Sequence, residues 1–208
     1  HNDKCHNMLG KHVVVTLPPH LAQSAINYEP PLPTAVSQTM AQTQTWMGQA
    51  MKVSLVYKTP FWRQRGLSGL AVSYRGPVQQ FHDASPDDDS CGALFGWLGD
   101  GGAGRELPFE TRKAEIIEQV TRIFGPEGAK PLHYAELNWD KEPHTTETSY
   151  QLENPQEHPQ YGHPLLQEAQ LNGRLHFAVT EASPVNGGYL DGAVYIAKQV
   201  ANRIISKG

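Results

Sequence analysis

Between residues 51 and 98, short segments rich in β-forming residues follow one another, and this run constrains the fold more than any other feature. Gly, Pro and Asp residues separate the segments, as expected where successive strands turn back on one another. Neighbouring strands joined by short turns pair in the antiparallel sense. The predicted strands are Met51–Tyr57, Leu67–Tyr74, Val78–His82 and Ala93–Leu98.

The clearest helix in the sequence follows this run, from Phe109 to Phe124. Its apolar residues recur at helical spacing, and Gly125 ends it. A further strand is predicted over Leu132–Leu137. A helix with one apolar stripe and a sheet with one apolar face bury those surfaces against each other. We therefore predict an α+β fold with a mixed, largely antiparallel sheet flanked by helices.

Both ends of the chain carry elements outside this sheet. His12–Leu17 predicts a buried strand, Leu175–Val179 a second strand, and Lys141–Pro164 a long polar loop. A final helix is predicted from about Tyr189 to Ile205. Because a fully apolar strand is normally covered on both faces, we expect the first strand to belong to a larger fold. The predicted apolar stripe of the final helix comprises Ala193, Ile196, Ala197, Val200, Ala201 and Ile204.

Composition excludes several classes of function. The 38% hydrophobic and 18% charged residues are typical of a globular protein, and a net charge of -4 gives no electrostatic reason to expect nucleic acid or an anionic membrane as a partner. We find no bilayer-spanning stretch or secretory leader, and Cys5 and Cys91 stand alone, so a cytoplasmic location is expected. His144, His158 and His163 share one polar loop but match no zinc spacing, so no metal site is expected.

The segment from Arg174 to Val194 is the one most typical of a ligand site. It predicts a strand, an acidic turn at Glu181, a glycine pair at Gly187 and Gly188, and then the start of a helix. A carboxylate at a strand end accepts hydrogen bonds from ligand hydroxyl groups, and glycines let a backbone approach a ligand closely. The first turn of a helix offers unpaired N–H groups and a partial positive charge to an electron-rich group. Tight packing alone produces the same pattern.

This closing segment resembles that of the flavin monoamine oxidase and polyamine oxidase family, in which an Ala-Gly-Thr-Glu strand end precedes a Gly-Tyr-x-Glu/Asp-Gly-Ala helix start. Other family landmarks occur in the family order. They are Val13–Pro19, Pro30–Pro33, Met47–Lys52, Pro60–Arg63 and the pair Asn138 and Trp139. From Val13 to Val194 the chain is therefore identified as a member of the flavin-containing amine oxidase family. It resembles the C-terminal portion and lacks the N-terminal FAD-binding Rossmann segment.

The resemblance implies roles for individual residues. Lys52 resembles the catalytic lysine that holds a water against flavin N5, and Trp139 resembles the tryptophan beside the flavin ring. Glu181 resembles the acidic residue that contacts the cofactor. Tyr189 resembles one wall of the aromatic cage that positions the substrate amine. The helix start that contacts the cofactor corresponds to Gly188, Tyr189, Leu190 and Asp191.

Departures from the family pattern bear on cofactor binding. Val179 stands where the family usually has glycine. Thr148 falls near the cysteine that attaches flavin in covalently flavinylated members, so noncovalent FAD is expected, and the second cage aromatic falls near Ser149, beside Tyr150. The resemblance implies that the Gly-x-Gly-x-x-Gly which seats the cofactor pyrophosphate belongs to the N-terminal segment; the one match to that spacing here, Gly99–Gly104, falls instead between the landmarks Pro60–Arg63 and Asn138–Trp139. We therefore expect the isolated chain to bind no FAD.

The resemblance implies three parts: residues 1–24 as a remnant of the FAD-binding lobe, 25–141 as the substrate-binding domain, and 142–208 as the return to the FAD-binding lobe. The implied reaction is oxidative deamination of an amine, with oxygen as acceptor. We expect the isolated chain to be inactive and to self-associate through apolar surface that the N-terminal FAD-binding portion would cover. Two alternatives stay open: a flavin-free binding or interaction module derived from this fold, and one half of a split oxidase.

Overall fold

The computed structural model describes residues 6–48, 50–98, 103–145 and 158–206. The chain divides into a terminal unit, formed by His1–Trp46 and Pro143–Gly208, and a central unit, formed by Met47–Glu142. The strands are β1 (Val13–Val15), β2 (Met51–Tyr57), β3 (Ala71–Val72), β4 (Val78–Asp83), β5 (Gly92–Leu98), β6 (His133–Asn138) and β7 (Leu175–Phe177). The helices are α1 (Pro19–Ala25), α2 (Thr34–Gln42), α3 (Phe61–Gln64), α4 (Ala103–Glu106), α5 (Phe109–Phe124), α6 (Pro164–Gln167) and α7 (Leu190–Ile205).

The central unit is built on a five-stranded antiparallel sheet in the order β3-β4-β5-β2-β6. In β2 the side chains alternate between the two faces, so that Met51, Val53, Leu55 and Tyr57 are buried while Lys52 and the other intervening residues are not. The buried face packs with Ile116, Val120 and Phe124 of α5. The alternation therefore places the core of this unit on one face of the sheet and leaves the other open.

A buried glutamine ties α5 to the sheet. The Gln119 side chain is fully buried; its amide nitrogen donates to the Val78 carbonyl at 2.7 Å, and its amide oxygen accepts from the Val78 N–H at 3.0 Å. Gly76, with φ of +101°, passes so close to this amide that an added Cβ would lie 2.5 Å from Gln119 Cδ. The amide thereby satisfies both backbone groups at the first residue of β4, where the ladder with β5 is irregular.

The Pro-Phe-Trp landmark forms a structural anchor in the central unit. Phe61 and Trp62 are buried in α3, and Trp62 Nε1 donates to Asp83 Oδ2 at 2.9 Å while Arg63 Nε donates to the same oxygen at 2.7 Å. Burial alone would raise the pKa of Asp83, but the hydrogen bonds from Arg63, Ser85 and Trp62 lower it to about 2. This landmark is therefore explained by packing and hydrogen bonding within the unit.

The terminal unit gathers both ends of the chain around a separate core. β1 and β7 pair in parallel, with Val13 opposite Leu175 and Val15 opposite Phe177. The core is lined by residues from helices and strands of both chain segments, including Ala22, Val36, Met40, Leu166, Phe177 and Ile196. Within the described ranges, no helix is both long and apolar enough to cross a membrane.

The predicted α+β class and the largely antiparallel sheet are confirmed, as are the bounds of β2 and α5. The predicted strand over Leu67–Tyr74 is wrong in extent, since only Ala71–Val72 pairs. Gly69 there has φ of +77°, a left-handed conformation that interrupts an extended strand. An added Cβ would also lie 2.8 Å from Trp62 Nε1, so the segment bends around that indole.

Two predictions about burial at the chain ends are wrong. Val13 and Val14 are 56% and 44% exposed, because β1 pairs with β7 alone among the described strands. In α7 the buried stripe comprises Gly192, Ile196 and Val200, whereas the predicted stripe residues Ala197 and Ala201 are exposed. The helix carries a second apolar stripe on its exposed side, and periodicity alone does not show which stripe is buried. This second stripe comprises Leu190, Val194, Ala197, Ala201 and Ile205.

The two units divide the chain at 46/47 and 142/143, close to the predicted second boundary but not the first at 24/25. Residues 25–46 fall in the terminal unit because α2 packs against α1 and α6. Assigning the units to a cofactor-binding lobe and a substrate-binding domain stays a prediction. Of the predicted loop over Lys141–Pro164, residues 146–157 lie outside the described residues.

Replacing Gln119 by leucine should destabilise the protein. The substitution keeps the side-chain volume roughly constant but leaves the buried N–H and C=O of Val78 without partners. We expect the free energy of unfolding to fall by about 2–4 kcal/mol in urea denaturation followed by circular dichroism. Glu118→Leu, at the exposed neighbouring position of α5, should change it by no more than about 0.5 kcal/mol. Equal stability of the two variants would contradict this assignment.

Candidate functional site

The closing segment of the terminal unit has the predicted order of strand, acidic turn, glycine pair and helix. β7 is buried along its whole length, and a 3-10 turn over Thr180–Ala182 follows it. Tyr189 then caps α7, with its carbonyl accepting from the N–H of Ala193 at 3.2 Å. Val179, the departure from the family glycine, is buried in the apolar core of this unit. Its branched side chain is therefore accommodated by packing.

Glu181 is a buried acid at the end of this strand. It is only 4% exposed, and within the described part of the chain its Oε2 atom has no hydrogen-bond partner. Burial raises the pKa of the Glu181 carboxyl, and this outweighs hydrogen bonds from the backbone and from Thr45, which lower it. The Thr45 hydroxyl lies 3.3 Å from His20 Nδ1. Among the described residues, Glu181 Oε2 is therefore a buried acceptor without a donor.

The start of α7 presents a mixture of exposed and tightly packed residues. Leu190 is 87% exposed and Asp191 is also exposed. Gly192, in contrast, is buried, and its Cα lies so close to Asn186 that an added Cβ would be 2.2 Å from the Asn186 carbonyl oxygen. The Asp191 carboxylate lies in the first turn, where it complements the partial positive charge of the helix end. The exposed N-terminal turn of α7 is accessible to a ligand.

Tyr189 is half exposed, and its ring lies among other rings of the terminal unit. Its neighbour Gly188 has φ of +83°, and side chains of the same unit occupy the space beside Gly187 and Gly188. Added Cβ atoms would lie 2.6 Å from Tyr161 Cβ and 2.9 Å from Tyr161 Cε2, respectively. The glycine pair therefore allows aromatic side chains of this chain to pack against the backbone.

Lys52 lies in the central unit on the open face of the sheet. Its Nζ atom is 4.2 Å from the centroid of the Phe95 ring and 5.1 Å from that of Trp97, distances at which a ring attracts a cation. The His82 ring stacks on the Phe95 ring, with centroids 4.9 Å apart and an interplanar angle of 14°. The open face thus carries a row of rings beside the ammonium group.

Sequence reasoning missed the rings around Lys52. The signal was the two-residue period of β5, which places Phe95 and Trp97 on the face opposite Leu94 and Leu98. The missing information was the register, because Lys52 pairs directly with Trp97 only in the observed alignment of β2 and β5.

Trp139 lies in the central unit at the start of a 3-10 turn that follows β6. The backbone N–H of Trp139 donates to the Ala50 carbonyl at 3.0 Å, which ties the turn to the residue before β2. Asn138 caps the turn by accepting from the Asp140 N–H at 3.2 Å, and it also accepts from Arg105 Nη2 at 3.2 Å. Trp139 itself is partly buried. The Asn-Trp landmark therefore has a local structural role, with the indole partly accessible.

The predicted site residues fall in both units. Glu181, Gly188, Tyr189, Leu190 and Asp191 belong to the terminal unit, where the structure brings them together at the acidic turn and the start of α7. Lys52 and Trp139 belong to the central unit.

Two further predictions concern the loop and metal binding. Thr148, Ser149 and Tyr150, which bear on covalent flavin and on the second cage wall, lie outside the described residues. Among the residues with described positions, no three His, Cys, Asp or Glu side chains are grouped as metal ligands.

The sequence model of the family described as flavin containing amine oxidoreductase matches residues 2–205. The chain belongs to this family.

Individual relatives agree with this assignment. The chain is 33% identical over 193 residues to the putative flavin-containing monoamine oxidase AofH of Mycobacterium tuberculosis, covering 92% of this chain and 41% of that protein. It is 30% identical over 200 residues to amine oxidase [flavin-containing] B of Sus scrofa, covering 94% of this chain and 37% of that protein. The chain therefore spans about two fifths of the length of these relatives.

Solved structures show the same fold. A structure of wild-type putrescine oxidase bound to putrescine matches with a TM-score of 0.74 at 30% identity, covering 94% of this chain and 42% of the other. The cyclohexylamine oxidase of Brevibacterium oxydans matches with a TM-score of 0.73 at 26% identity, covering 94% and 43%.

Replacing Glu181 by glutamine should stabilise the protein at neutral pH. Because the pKa of Glu181 is raised in the folded state, folding favours the protonated acid, and its contribution to stability is lost as the pH rises above the unfolded value of about 4.5. We expect Glu181→Gln to increase the free energy of unfolding by about 1 kcal/mol at pH 7.5 in urea denaturation, with the gain vanishing near pH 4. The exposed Glu168→Gln should show no such dependence. A gain that does not vary with pH would show that the charge is not the cause.

Proposed function

We propose that this chain supplies the substrate-binding and flavin-contacting residues of a flavin-dependent amine oxidase, which oxidatively deaminates an amine with oxygen as acceptor. The observation that carries the proposal is Glu181, a buried carboxyl at the position of the family's acidic residue, with an oxygen that has no partner among the described residues. A buried acceptor without a donor costs stability, so its retention is accounted for by a ligand hydroxyl group. The hydroxyl-bearing chain of a flavin nucleotide fits this chemistry.

In this proposal Glu181 and the start of α7, from Gly188 to Asp191, hold the cofactor, which is FAD bound noncovalently. Trp139 lies beside the flavin ring, and Tyr189 forms a wall of the amine site. FAD, when bound, accepts the hydride from the carbon that bears the amine. Lys52 holds a water for the reoxidation step. Its ammonium group is kept at a fixed place on the open face of the sheet by Phe95 and Trp97, which supports this role.

We further propose that these 208 residues bind no FAD and turn over no amine without a dinucleotide-binding portion. The one Gly-x-Gly-x-x-Gly spacing, Gly99–Gly104, follows β5, which pairs with both of its neighbours in the antiparallel sense, whereas the fingerprint that seats a pyrophosphate follows a strand of a parallel βαβ unit. The second apolar stripe of α7 supports a partner surface, because Leu190, Val194 and Ile205 are 87%, 53% and 77% exposed. The expected partner of this stripe is the N-terminal FAD-binding portion of the family. In its absence, the same stripe promotes self-association of the chain.

The proposal is tested by supplying the other portion. The chain would be co-expressed with the part of the Mycobacterium tuberculosis relative that lies outside the matched region. We expect a complex with the visible absorbance of bound flavin and amine-dependent production of hydrogen peroxide. The chain expressed alone should be colourless. A colourless complex without peroxide production across primary amines and polyamines would contradict the proposal and favour a flavin-free interaction module.

The role of Lys52 is tested in the same complex. Lys52→Met keeps the length of the side chain but removes the ammonium group, so reoxidation of the reduced flavin by oxygen should slow by about tenfold or more in stopped-flow measurements. Reduction of the flavin by the amine should change much less. Lys58→Met, at an exposed position just after β2, is the matched control and should leave both rates unchanged. Equal reoxidation rates in the two variants would exclude the assigned role.

A further inference from the structure

A cluster of rings surrounds Tyr189 in the terminal unit, and we name it the Tyr189 cluster: Trp46, His158, Tyr161 and Tyr189. The His158 ring lies nearly parallel to that of Tyr189, with centroids 5.5 Å apart and an angle of 9°. Trp46 meets Tyr189 edge-on at 4.9 Å and lies 4.8 Å from His158. Tyr161 meets His158 edge-on at 5.3 Å. These distances are in the range of favourable aromatic packing.

Hydrogen bonds to the backbone hold the rings of the cluster in place. Tyr161 Oη accepts from the Trp46 N–H and donates to the Gln44 carbonyl, both at 2.8 Å. The next residue, Gly162, donates its N–H to the Glu181 carbonyl at 2.9 Å. Tyr161 therefore links the segment before Trp46 to the acidic turn at Glu181.

The glycine pair is fitted to these rings. An added Cβ at Gly188 would lie 2.9 Å from Tyr161 Cε2 and 3.0 Å from His158 Nε2. A separation below 3.0 Å forces a neighbour to move. Glycine at this position therefore allows His158 to approach the backbone just before Tyr189.

His158 contacts a carbonyl oxygen with each of its ring nitrogens. Nε2 lies 3.0 Å from the Gly187 carbonyl and Nδ1 lies 2.8 Å from the carbonyl of Pro159. Carbonyl oxygens only accept, and a neutral imidazole carries one N–H, so both contacts are hydrogen bonds only when the ring carries two protons. Among the described residues, the rings that face His158 belong to Trp46, Tyr161 and Tyr189.

We propose that His158 and Trp46 are positioning residues for Tyr189: His158 covers one face of the phenol ring, Trp46 supports its edge, and the remaining face is left for the amine. Half of Tyr189 is exposed, as this arrangement requires. These ring contacts form a clamp that holds Tyr189 at one face and one edge. The link to the amine rests on the proposed function; the clamp itself does not.

The clamp is tested on the chain by NMR with labelled tyrosine rings, with the Tyr189 signals assigned through Tyr189→Phe. We expect the Tyr189 signals to move in His158→Ala, because the stacked imidazole that shifts them is removed. In His158→Phe, which keeps a stacked ring, the Tyr189 signals should stay shifted by that ring. His144→Ala, an exposed histidine of the same unit, should match the unmodified chain.

Two further measurements keep the outcome interpretable. The signals of Tyr28, which packs against the core of the terminal unit, should be unchanged in every variant and so report that the unit is folded. Tyr189 signals that are unchanged in His158→Ala would overturn the proposal. In the assembled oxidase, His158→Ala should raise the KM for the amine more than it lowers kcat. If no oxidase assembles, the proposed function fails while the ring measurement still decides the clamp.

Discussion

The alternation of side chains along β2 determines both the core of the central unit and the position of its chemistry. Because β2 pairs with β5 on one side and β6 on the other, its register is fixed from both edges. The same register that buries Val53 and Leu55 against α5 holds Lys52 on the open face, beside Phe95 and Trp97. A slip of one residue would exchange the two faces and bury the ammonium group. The packing of the core therefore determines the face of the sheet on which Lys52 lies.

The terminal unit contains a residue, Glu181, whose burial costs stability. Glu181 is buried with an unpartnered oxygen, although a glutamine of the same shape would avoid burying a charge. Buried polar groups that have no compensating contact, as Glu181 Oε2 has none among the described residues, occur preferentially at functional sites. The neighbouring Val179 has the opposite character, since its side chain is buried in the core. The acidic turn therefore combines a packed residue with an acceptor available to a ligand.

Much of the fold could be predicted from the sequence where one periodicity was unambiguous. β2 and α5 have strong two-residue and helical periods, and their bounds were predicted correctly. The α7 stripe was misassigned because that helix carries two apolar stripes, and the choice between them depends on neighbours that are distant in the chain. For the site, the ordered landmarks led to Lys52 and Glu181. The Tyr189 cluster was not predicted, because the contact between Trp46 and Tyr161 joins residues 115 positions apart.

The glycine pair beside Tyr189 has a consequence for redesign of the residues around that ring. Positions 187 and 188 are the sequence neighbours of Tyr189 and would be natural targets in a library aimed at a new substrate, yet a single added carbon there displaces Tyr161. That displacement reaches Trp46 through the phenol oxygen and the acidic turn through Gly162. These two positions are therefore closed to diversification. The open face around Phe95 and Trp97 supports no part of the buried core, so exchanges there are limited by the contacts with Lys52 and not by core packing.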